Sequence, residues 1–417
     1  MLIFLIDSTK ISLERSSPRI FSQFILSSRI FELFRPFFEI FLKTFGRTVE
    51  ILDKDEVYFF LLTMKEYHIS KKYKRDWQKN ILDWYDLNAR SLPWRKLKSQ
   101  NFYRIWISEI MLQQTMVKTV IPYYEKFLKK WPSLDYFYEA TLEEILLIWQ
   151  GLGYYQRAKN LYLAKEILRK KKLIEINIEN LMNLPGIGEY VASAICAILK
   201  DENCAVIDGN IKRILSRAFE LNKNEKLYKK KVVYIATQLT PLINNKNYCQ
   251  SLMDLANKVC LPKNPDCSVC PVDSLCLSSG KVAQQKTNNQ EKVKKFGLIF
   301  IVKYKDFFLI EKTKDKLLEN LYCFPLTDFT EFTNSNTYEI KIKDIASKWL
   351  TNNGLDNAFI INKSINHAFS HFRLNLFIIE LKLKNKRNFK KYEWIRKKDL
   401  KNKPISKLMS KVIKEVI

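Results

Sequence analysis

The chain has 417 residues, a length that suits two or three domains, each able to bury its own core. With 47% hydrophobic and 28% charged residues it reads as globular, and 9 Gly and 12 Pro exclude a collagen-like or Gly/Ser-rich chain. The formal net charge of +27 favours a polyanionic partner such as nucleic acid, although a coding bias toward Lys, Asn and Ile would give the same excess. No uninterrupted apolar run of about 18 residues occurs, so we expect no transmembrane helix.

Residues 1–63 differ from the rest of the chain: they are rich in Phe, Ile, Ser and Arg and show no steady period. Arg and Ser are typical of a targeting segment, whereas the acidic Glu14, Glu32 and Glu39 are not. Helical patterning begins only after Met64. We therefore expect translation to start at Met64, with residues 1–63 outside the fold.

Residues 74–278 are predicted to form an all-α region, because apolar residues recur there at three- and four-residue spacing. The clearest periodic segments are 102–111, 142–149, 158–168, 191–199 and 211–219. Residues 279–295 are polar and read as a linker. Beyond it, 296–304, 307–311 and 374–383 are strand-like and 340–352 is helical. This mixture predicts a small α+β domain over residues 296–417.

Four of the eight cysteines, Cys260, Cys267, Cys270 and Cys276, lie within 17 residues among prolines that mark a loop. Without a convincing secretion signal we expect a reducing compartment, where clustered cysteines bind metal more often than they form disulfides. Four thiolates suit tetrahedral zinc or a 4Fe-4S cluster equally, and their spacing does not choose between them.

A second motif, Leu184-Pro-Gly-Ile-Gly188, separates two helical stretches. Gly186 and Gly188 allow a tight turn and a close approach of the backbone to a ligand, and the following helix would present free N–H groups to a DNA phosphate. This pattern indicates a helix-hairpin-helix, although a plain interhelical turn would have a similar sequence.

Together with Val206–Arg213 and the cysteine loop, this motif resembles the endonuclease III superfamily of base-excision DNA glycosylases. Within that superfamily, Trp106–Thr115, Gly151–Tyr155 and Phe369–Phe372 are similar to the adenine DNA glycosylases, which remove adenine mispaired with 8-oxoguanine. The resemblance implies a 4Fe-4S cluster rather than zinc. It also implies a monomeric, cytoplasmic, nucleoid-associated enzyme whose partner is double-stranded DNA with A:8-oxoguanine or A:G mispairs.

Release of adenine needs a general acid beside the base and a negative charge beside the developing oxocarbenium ion. Glu109 lies between Ile107 and Ile110, where burial would raise its pKa, although an exposed helix glutamate has a similar context. Asp208 precedes a helical run and suits an N-cap. By resemblance, Glu109 protonates adenine and Asp208 stabilises the sugar cation. Tyr190 stands where strand-cleaving relatives carry a nucleophilic lysine, so we expect a monofunctional enzyme that leaves an abasic site.

The resemblance also assigns supporting roles. Gln113 and Tyr155 would probe and wedge the duplex at the extruded base, and Arg95 would lie near the adenine pocket. Lys212, Gln250 and Asp254 match family positions near the DNA backbone. The sequence departs from the family at two positions, where Met116 replaces a glutamine and Ala256 replaces a glycine. Any of the supporting polar residues could instead be a plain surface group.

The C-terminal residues 296–417 resemble a Nudix-like 8-oxoguanine recognition module on Leu321–Pro325 and His367–Phe372. The acidic box of a nucleotide-hydrolysing Nudix enzyme is missing, so we expect a binder. By resemblance, Ser370 and His371 would donate hydrogen bonds to 8-oxoguanine and Phe369 would lie near it, whereas the alternative is a buried structural turn.

Three other functions fit parts of the sequence. An endonuclease III-like pyrimidine glycosylase and lyase is disfavoured by Tyr190 and by the C-terminal module. A non-catalytic DNA-binding iron-sulfur protein is disfavoured by the presence of Glu109, Asp208 and all four loop cysteines. A Nudix hydrolase with a DNA-binding appendage lacks the acidic box it needs.

Overall fold

The structure is a computed structural model of the chain that describes residues 67–96, 100–171, 175–281, 292–313, 320–331, 338–355, 361–369 and 371–417. The predicted N-terminal extension with Met64, most of the predicted linker and Ser370 lie outside the described residues. The domain boundaries drawn from the sequence therefore stay predictions.

The described residues between 67 and 281 have helices as their regular elements, as predicted. Its helices are α1 Lys71–Asn88, α2 Phe102–Leu112, α3 Val117–Lys130, α4 Leu134–Tyr138, α5 Leu142–Trp149, α6 Gln156–Lys171, α7 Ile178–Met182, α8 Glu189–Lys200, α9 Gly209–Ala218, α10 Tyr228–Leu239 and α11 Asn245–Lys258. Pro93–Arg95, Cys267–Val269 and Asp273–Leu275 are short 3-10 turns. Among the described residues, no helix has both the length and the apolar character needed to cross a membrane.

The described residues divide into two compact units. The smaller one combines the residues up to Arg75 with Leu221–Leu239. In it, Gln238 accepts a hydrogen bond from the Ile69 amide and donates one to the Tyr67 carbonyl. The larger unit combines Asp76–Glu220 with Thr240–Ile417 and contains every catalytic and lesion-reading residue assigned above that the structure describes.

Helix α2 lies in the core of the larger unit. The Asn101 side chain caps its first turn by accepting from the Arg104 amide, and its residues from Ile105 to Met111 are all buried. A helix that is apolar on every side belongs in a protein interior. This explains why Glu109, in the middle of α2, is withdrawn from water.

The C-terminal part is a seven-stranded sheet with a helix on each face. Its elements are β1 Val293–Tyr304, β2 Phe307–Lys312, β3 Tyr322–Cys323, β4 Thr330–Glu331, α12 Tyr338–Asn352, β5 Ile361–Ala368, β6 Phe372–Lys382, β7 Glu393–Arg396 and α13 Lys407–Val416. The main path runs β3-β2-β1-β6-β5, with β4 paired to β1 and β7 to β2. Strands β1 and β6 are parallel, and β5 and β6 form an antiparallel hairpin around Phe369–His371.

Strand β1 has apolar side chains on both faces because both faces of the sheet are covered. Leu298, Phe300 and Val302 pack in the cluster that contains α12. The alternate residues Ile299 and Ile301 pack in the cluster that contains α13. Such a two-sided core is typical of a strand at the centre of a sheet, and it confirms the predicted α+β region.

Candidate active site

Glu109 is buried, with 4% of its surface exposed, so the alternative of an exposed helix glutamate is wrong. Burial raises the pKa of its carboxyl to about 7, an effect that the nearby charge of Asp208 increases and that of Arg95 opposes. The Tyr190 hydroxyl donates a hydrogen bond to Glu109 Oε2 at 3.1 Å, which also opposes the rise. At neutral pH the site therefore contains a carboxyl group ready to give or take a proton.

Asp208 is the N-cap of α9, as its place before the helical run predicts. Its carboxylate accepts hydrogen bonds from the Asn210 amide at 2.9 Å, the Ile211 amide at 2.7 Å and the Asn210 side chain at 2.8 Å. Three donors and the positive end of the helix dipole all favour a negative charge at this point. Asp208 is partly exposed, whereas Glu109 is buried, so the two carboxyl groups have different environments.

The turn between α7 and α8 brings Tyr190 to this pair. Gly186 has a φ of +83°, and a Cβ there would lie 2.8 Å from Asn160 Cβ, so only glycine fits. Gly188 is the N-cap of α8, which places Tyr190 in the first turn of that helix. Burial, together with Glu109 and Asp208, raises the pKa of the Tyr190 hydroxyl well above its usual range, so the phenol stays a hydrogen-bond donor.

The charge of Arg95 acts on Glu109, and its guanidinium binds Asp254, which is 0% exposed. The Arg95 guanidinium donates to both Asp254 oxygens, at 2.7 and 2.8 Å, and Arg90 donates to the same oxygens from its Nε and its amide. Burial alone would raise the pKa of Asp254, but these hydrogen bonds outweigh burial and lower it. Asp254 is thus an internal ion-pair partner.

The placement of Asp254 and Gln250 differs from the expectation of a helix side facing the DNA backbone. Both side chains are buried, and the Gln250 amide donates to the Lys246 carbonyl within α11. Neither side chain is offered to a phosphate in this conformation, and neither is a surface polar group. Lys212, in the first turn of α9, is half-buried.

Arg157, on α6, is a buried residue whose guanidinium makes several hydrogen bonds, and the sequence did not predict its role. It is 8% exposed, and its Nη1 donates to the carbonyls of Ile110, Met111 and Gln113 at 3.0, 2.8 and 2.5 Å. The acceptors lie at the C-terminal end of α2, where the helix dipole favours a cation. Arg157 therefore fixes the end of the helix that carries Glu109. Its only sequence signal is its place just after the Gly151–Tyr155 motif.

The two tyrosines of that motif have different surroundings. Tyr154 is 48% exposed, has a φ of +48° and stacks beside Arg157, with the guanidinium 5.5 Å from its ring centre. Tyr155 is turned inward, and its hydroxyl binds backbone groups. The sequence singled out Tyr155 as the wedge, whereas Tyr154 is the more exposed of the two rings. Gln113 is half-buried, with its amide 3.5 Å from the Gly186 carbonyl.

The four loop cysteines line one pocket, together with Trp77 of α1 and Arg217 of α9. Arg217 Nη1 donates to Cys260 Sγ at 3.2 Å. Arg213, also on α9, donates to the Cys260 and Ala256 carbonyls and so ties the loop to the helix that begins at Asp208. The other departure from the family pattern, Met116, is exposed.

The β5–β6 hairpin carries the residues assigned to lesion reading. His371 is exposed at its tip. Phe369 packs in an aromatic cluster with Phe329 and Phe372, with ring centres 6.2 and 4.6 Å away. Gly297 permits this cluster, because a Cβ at that position would lie 2.8 Å from Phe329. Phe369 therefore packs against the hairpin, while His371 is exposed to solvent.

The chain is similar to known proteins along most of its length. Residues 107–238 match the family described as HhH-GPD superfamily base excision DNA repair protein, and residues 298–415 match the NUDIX domain. The chain is 36% identical over 352 residues to the adenine DNA glycosylase of Buchnera aphidicola subsp. Schizaphis graminum, covering 79% of this chain and 96% of that protein. It is 36% identical to the one of Buchnera aphidicola subsp. Baizongia pistaciae, covering 70% and 82%. A solved thermostable thymine-DNA glycosylase is 25% identical over 51% of this chain and 98% of that chain, with a TM-score of 0.46.

Proposed function

The chain belongs to the adenine DNA glycosylase family, and from this premise we propose which residues carry the reaction and which lesion the enzyme selects. It is a base-excision DNA glycosylase, a hydrolase of N-glycosidic bonds. Our proposal is that Glu109, Asp208 and Tyr190 release adenine that lies opposite 8-oxoguanine or guanine. The observation that carries it is the buried carboxyl of Glu109, with a pKa of about 7, beside the capped carboxylate of Asp208.

In the proposed reaction, Glu109 gives its proton to a ring nitrogen of the extruded adenine. The bond between that base and C1′ then breaks, its electron pair leaves with the base, and adenine departs neutral. The sugar becomes an oxocarbenium ion, which the negative charge of Asp208 stabilises. Water adds to C1′, and its proton restores the neutral carboxyl of Glu109.

Tyr190 supports this cycle without forming a bond to the sugar. Its hydroxyl donates to Glu109 Oε2 and so fixes which carboxyl oxygen faces the base. A phenol cannot form the Schiff base that a lyase needs. We therefore propose that the product is an intact abasic site.

A duplex with adenine opposite 8-oxoguanine tests this proposal. The purified protein is incubated with the labelled duplex, and strand breakage is measured with and without later alkali. Breakage that needs alkali is the expected result. Breakage without alkali would overturn the monofunctional assignment, and no breakage in either sample would overturn the assignment of this substrate.

The four loop cysteines fit a 4Fe-4S cluster. They line one pocket, and four thiolates can hold such a cluster. The resemblance to the endonuclease III superfamily favours the cluster over zinc, which the same four ligands would also suit. Arg217 adds positive charge beside what would be an anionic group. When bound, the cluster would supply four metal-thiolate bonds that tie residues 260–276 together.

We further propose that the C-terminal region reads the base opposite adenine through the β5–β6 hairpin. His371 is exposed at the tip, and the aromatic cluster below it gives the hairpin a fixed base. Ser370 is the other donor that the resemblance assigns. The net charge of +27 suits DNA as the partner. In line with the family resemblance, we propose that the enzyme acts as a monomer at the nucleoid in the cytoplasm.

A further inference from the structure

The hydroxyl of Tyr155 joins the helical region to the C-terminal region. It donates to the carbonyl of Ile405 at 3.3 Å and accepts from the Gly151 amide at 3.3 Å. Next to it, the Ile405 amide donates to Gln150 Oε1 at 3.4 Å. The backbone of one residue in the C-terminal region is thus held by both ends of the segment that runs from Gln150 to Tyr155.

An ion pair reinforces this contact. Lys403 Nζ lies 3.2 Å from Glu143 Oε1 on α5, and 4.4 Å from the ring centre of Tyr322 on β3. We call the contacts of Glu143, Gln150 and Tyr155 with Lys403 and Ile405 the seam. Partly exposed ion pairs contribute little to stability, so the hydrogen bonds from the Tyr155 and Gln150 side chains to the Ile405 backbone define its geometry.

On the C-terminal side, the seam continues toward the hairpin. Ile405 precedes Ser406, the N-cap of α13, and Lys411 of that helix donates to the Asn366 carbonyl of β5 at 3.0 Å. Strand β5 leads into Phe369 and His371. Ile405 and the apolar residues of α13 also share a hydrophobic cluster against which Phe369 and Phe372 pack, so a shift of the hairpin can be passed to Ile405.

On the helical side, the seam continues toward the catalytic carboxyl. The Gly151–Tyr155 loop contacts Arg157 through the Gly153 carbonyl, at 3.1 Å, and the Tyr154 ring. Arg157 in turn holds the end of α2 through Ile110 and Met111. The loop with the exposed Tyr154 is thus connected both to the lesion-reading hairpin and to the helix of Glu109.

We propose that Tyr155 is a positioning residue whose hydroxyl couples the C-terminal region to the Gly151–Tyr155 loop, so that adenine excision depends on the base opposite. This inference rests on the proposed function, because it needs the hairpin to read 8-oxoguanine. The two adjacent tyrosines would then have different roles. Tyr154 would contact the duplex, and Tyr155 would fix the loop to the region that reads the opposite strand.

Tyr155→Phe in the full-length protein tests the inference, because it removes the hydroxyl and keeps the ring. Single-turnover rates are measured on duplexes with adenine opposite 8-oxoguanine and opposite guanine. We expect the rate on the 8-oxoguanine duplex to fall several-fold, up to roughly tenfold. This factor corresponds to the net free energy of about one hydrogen bond, the one that the variant loses. The rate on the guanine duplex should stay nearly unchanged.

Tyr123→Phe is the matched control. The Tyr123 hydroxyl donates to the Gln150 carbonyl at 2.9 Å, next to the same loop but within the helical region. Its loss should leave the ratio of the two rates as in the unmodified protein. The thermal midpoint of each variant, followed by circular dichroism, shows how much each hydroxyl contributes to stability alone.

Three results would overturn the inference. In the first, Tyr155→Phe keeps the unmodified ratio. In the second, both of its rates fall by the same factor, as a purely structural role requires. In the third, the unmodified protein itself does not distinguish the two duplexes, and this result alone also overturns the proposed lesion reading.

Discussion

Glu109→Gln should make the protein more stable, and the gain should grow as pH rises. Glutamine has nearly the same shape and can still accept the hydrogen bond from Tyr190, which the native carboxyl accepts at 3.1 Å. The native carboxyl has a pKa raised from 4.5 to about 7 by burial, so the folded state binds a proton more tightly than the unfolded state does. Stability contributed by that proton is present at low pH and is lost between pH 4.5 and about 7.

The size of this effect follows from the shift. A shift from 4.5 to about 7 corresponds to about 3 kcal/mol at about 1.4 kcal/mol per pH unit. Between about pH 5 and pH 8, the free energy of unfolding of the variant relative to the native protein should rise by roughly 2–3 kcal/mol. All other titrating groups are common to both proteins, so this comparison isolates Glu109.

The assay is urea unfolding of both proteins at the two pH values, followed by circular dichroism and tryptophan fluorescence. Coincident transitions in the two signals check that a single free energy describes unfolding. An equal stability difference at both pH values would show that the Glu109 pKa is ordinary. Glu109 would then be ionised near neutral pH and could not act as a general acid there.

Three further predictions concern the rest of the site. Asp208→Asn keeps a good N-cap, so the free energy of unfolding should change by less than about 1 kcal/mol. The variant loses the negative charge, so adenine release should fall at least about 100-fold. Release near the native rate in a single-turnover assay would contradict the role of that charge. Arg157→Met leaves three carbonyls, two of them buried, without their donor, so its free energy of unfolding in urea should fall by about 2–4 kcal/mol. A change within error would show that these contacts are incidental. The purified protein should hold about four iron atoms per chain, and Cys270→Ser should lower that number in elemental analysis; stoichiometric zinc instead of iron would contradict the cluster.

The residues that we propose to be catalytic each have a local signal in the sequence. Glu109 lies in a helix that is apolar on all sides, and Asp208 directly precedes the periodic run of α9. Local context predicts the cap at Asp208, whereas at Glu109 it is also compatible with an exposed glutamate, and only the structure shows burial. The resemblance then supplied the roles that local context alone does not.

Residues whose partners are distant in sequence were harder to assign. Tyr154 and Tyr155 are adjacent and chemically identical, and only the contact with Ile405, 250 positions from Tyr155, shows which one is turned inward. Arg95 and Asp254 pair across 159 positions. No periodicity encodes such pairs, so the sequence left them as separate polar groups.

In the sheet, too, strands with a local sequence signal were predicted and a strand without one was not. The apolar strands β1, β2 and β6 were predicted, because buried strands read as hydrophobic runs. Strand β5, Ile361–Ala368, was missed because its sequence is largely polar. It pairs with β6 along its whole length, so its conformation depends on the neighbouring strand rather than on its own pattern.

The most direct test of the account is the release of free adenine by the native protein and by Glu109→Gln, from a duplex with adenine opposite 8-oxoguanine, across pH 5 to 9. Because the protonated acid is the active form and its pKa is about 7, the native rate should be steady below that pH and fall about tenfold per unit above it. The variant should bind the duplex yet release no adenine at any pH. Release by the variant at the native rate would remove Glu109 from the reaction and contradict the account.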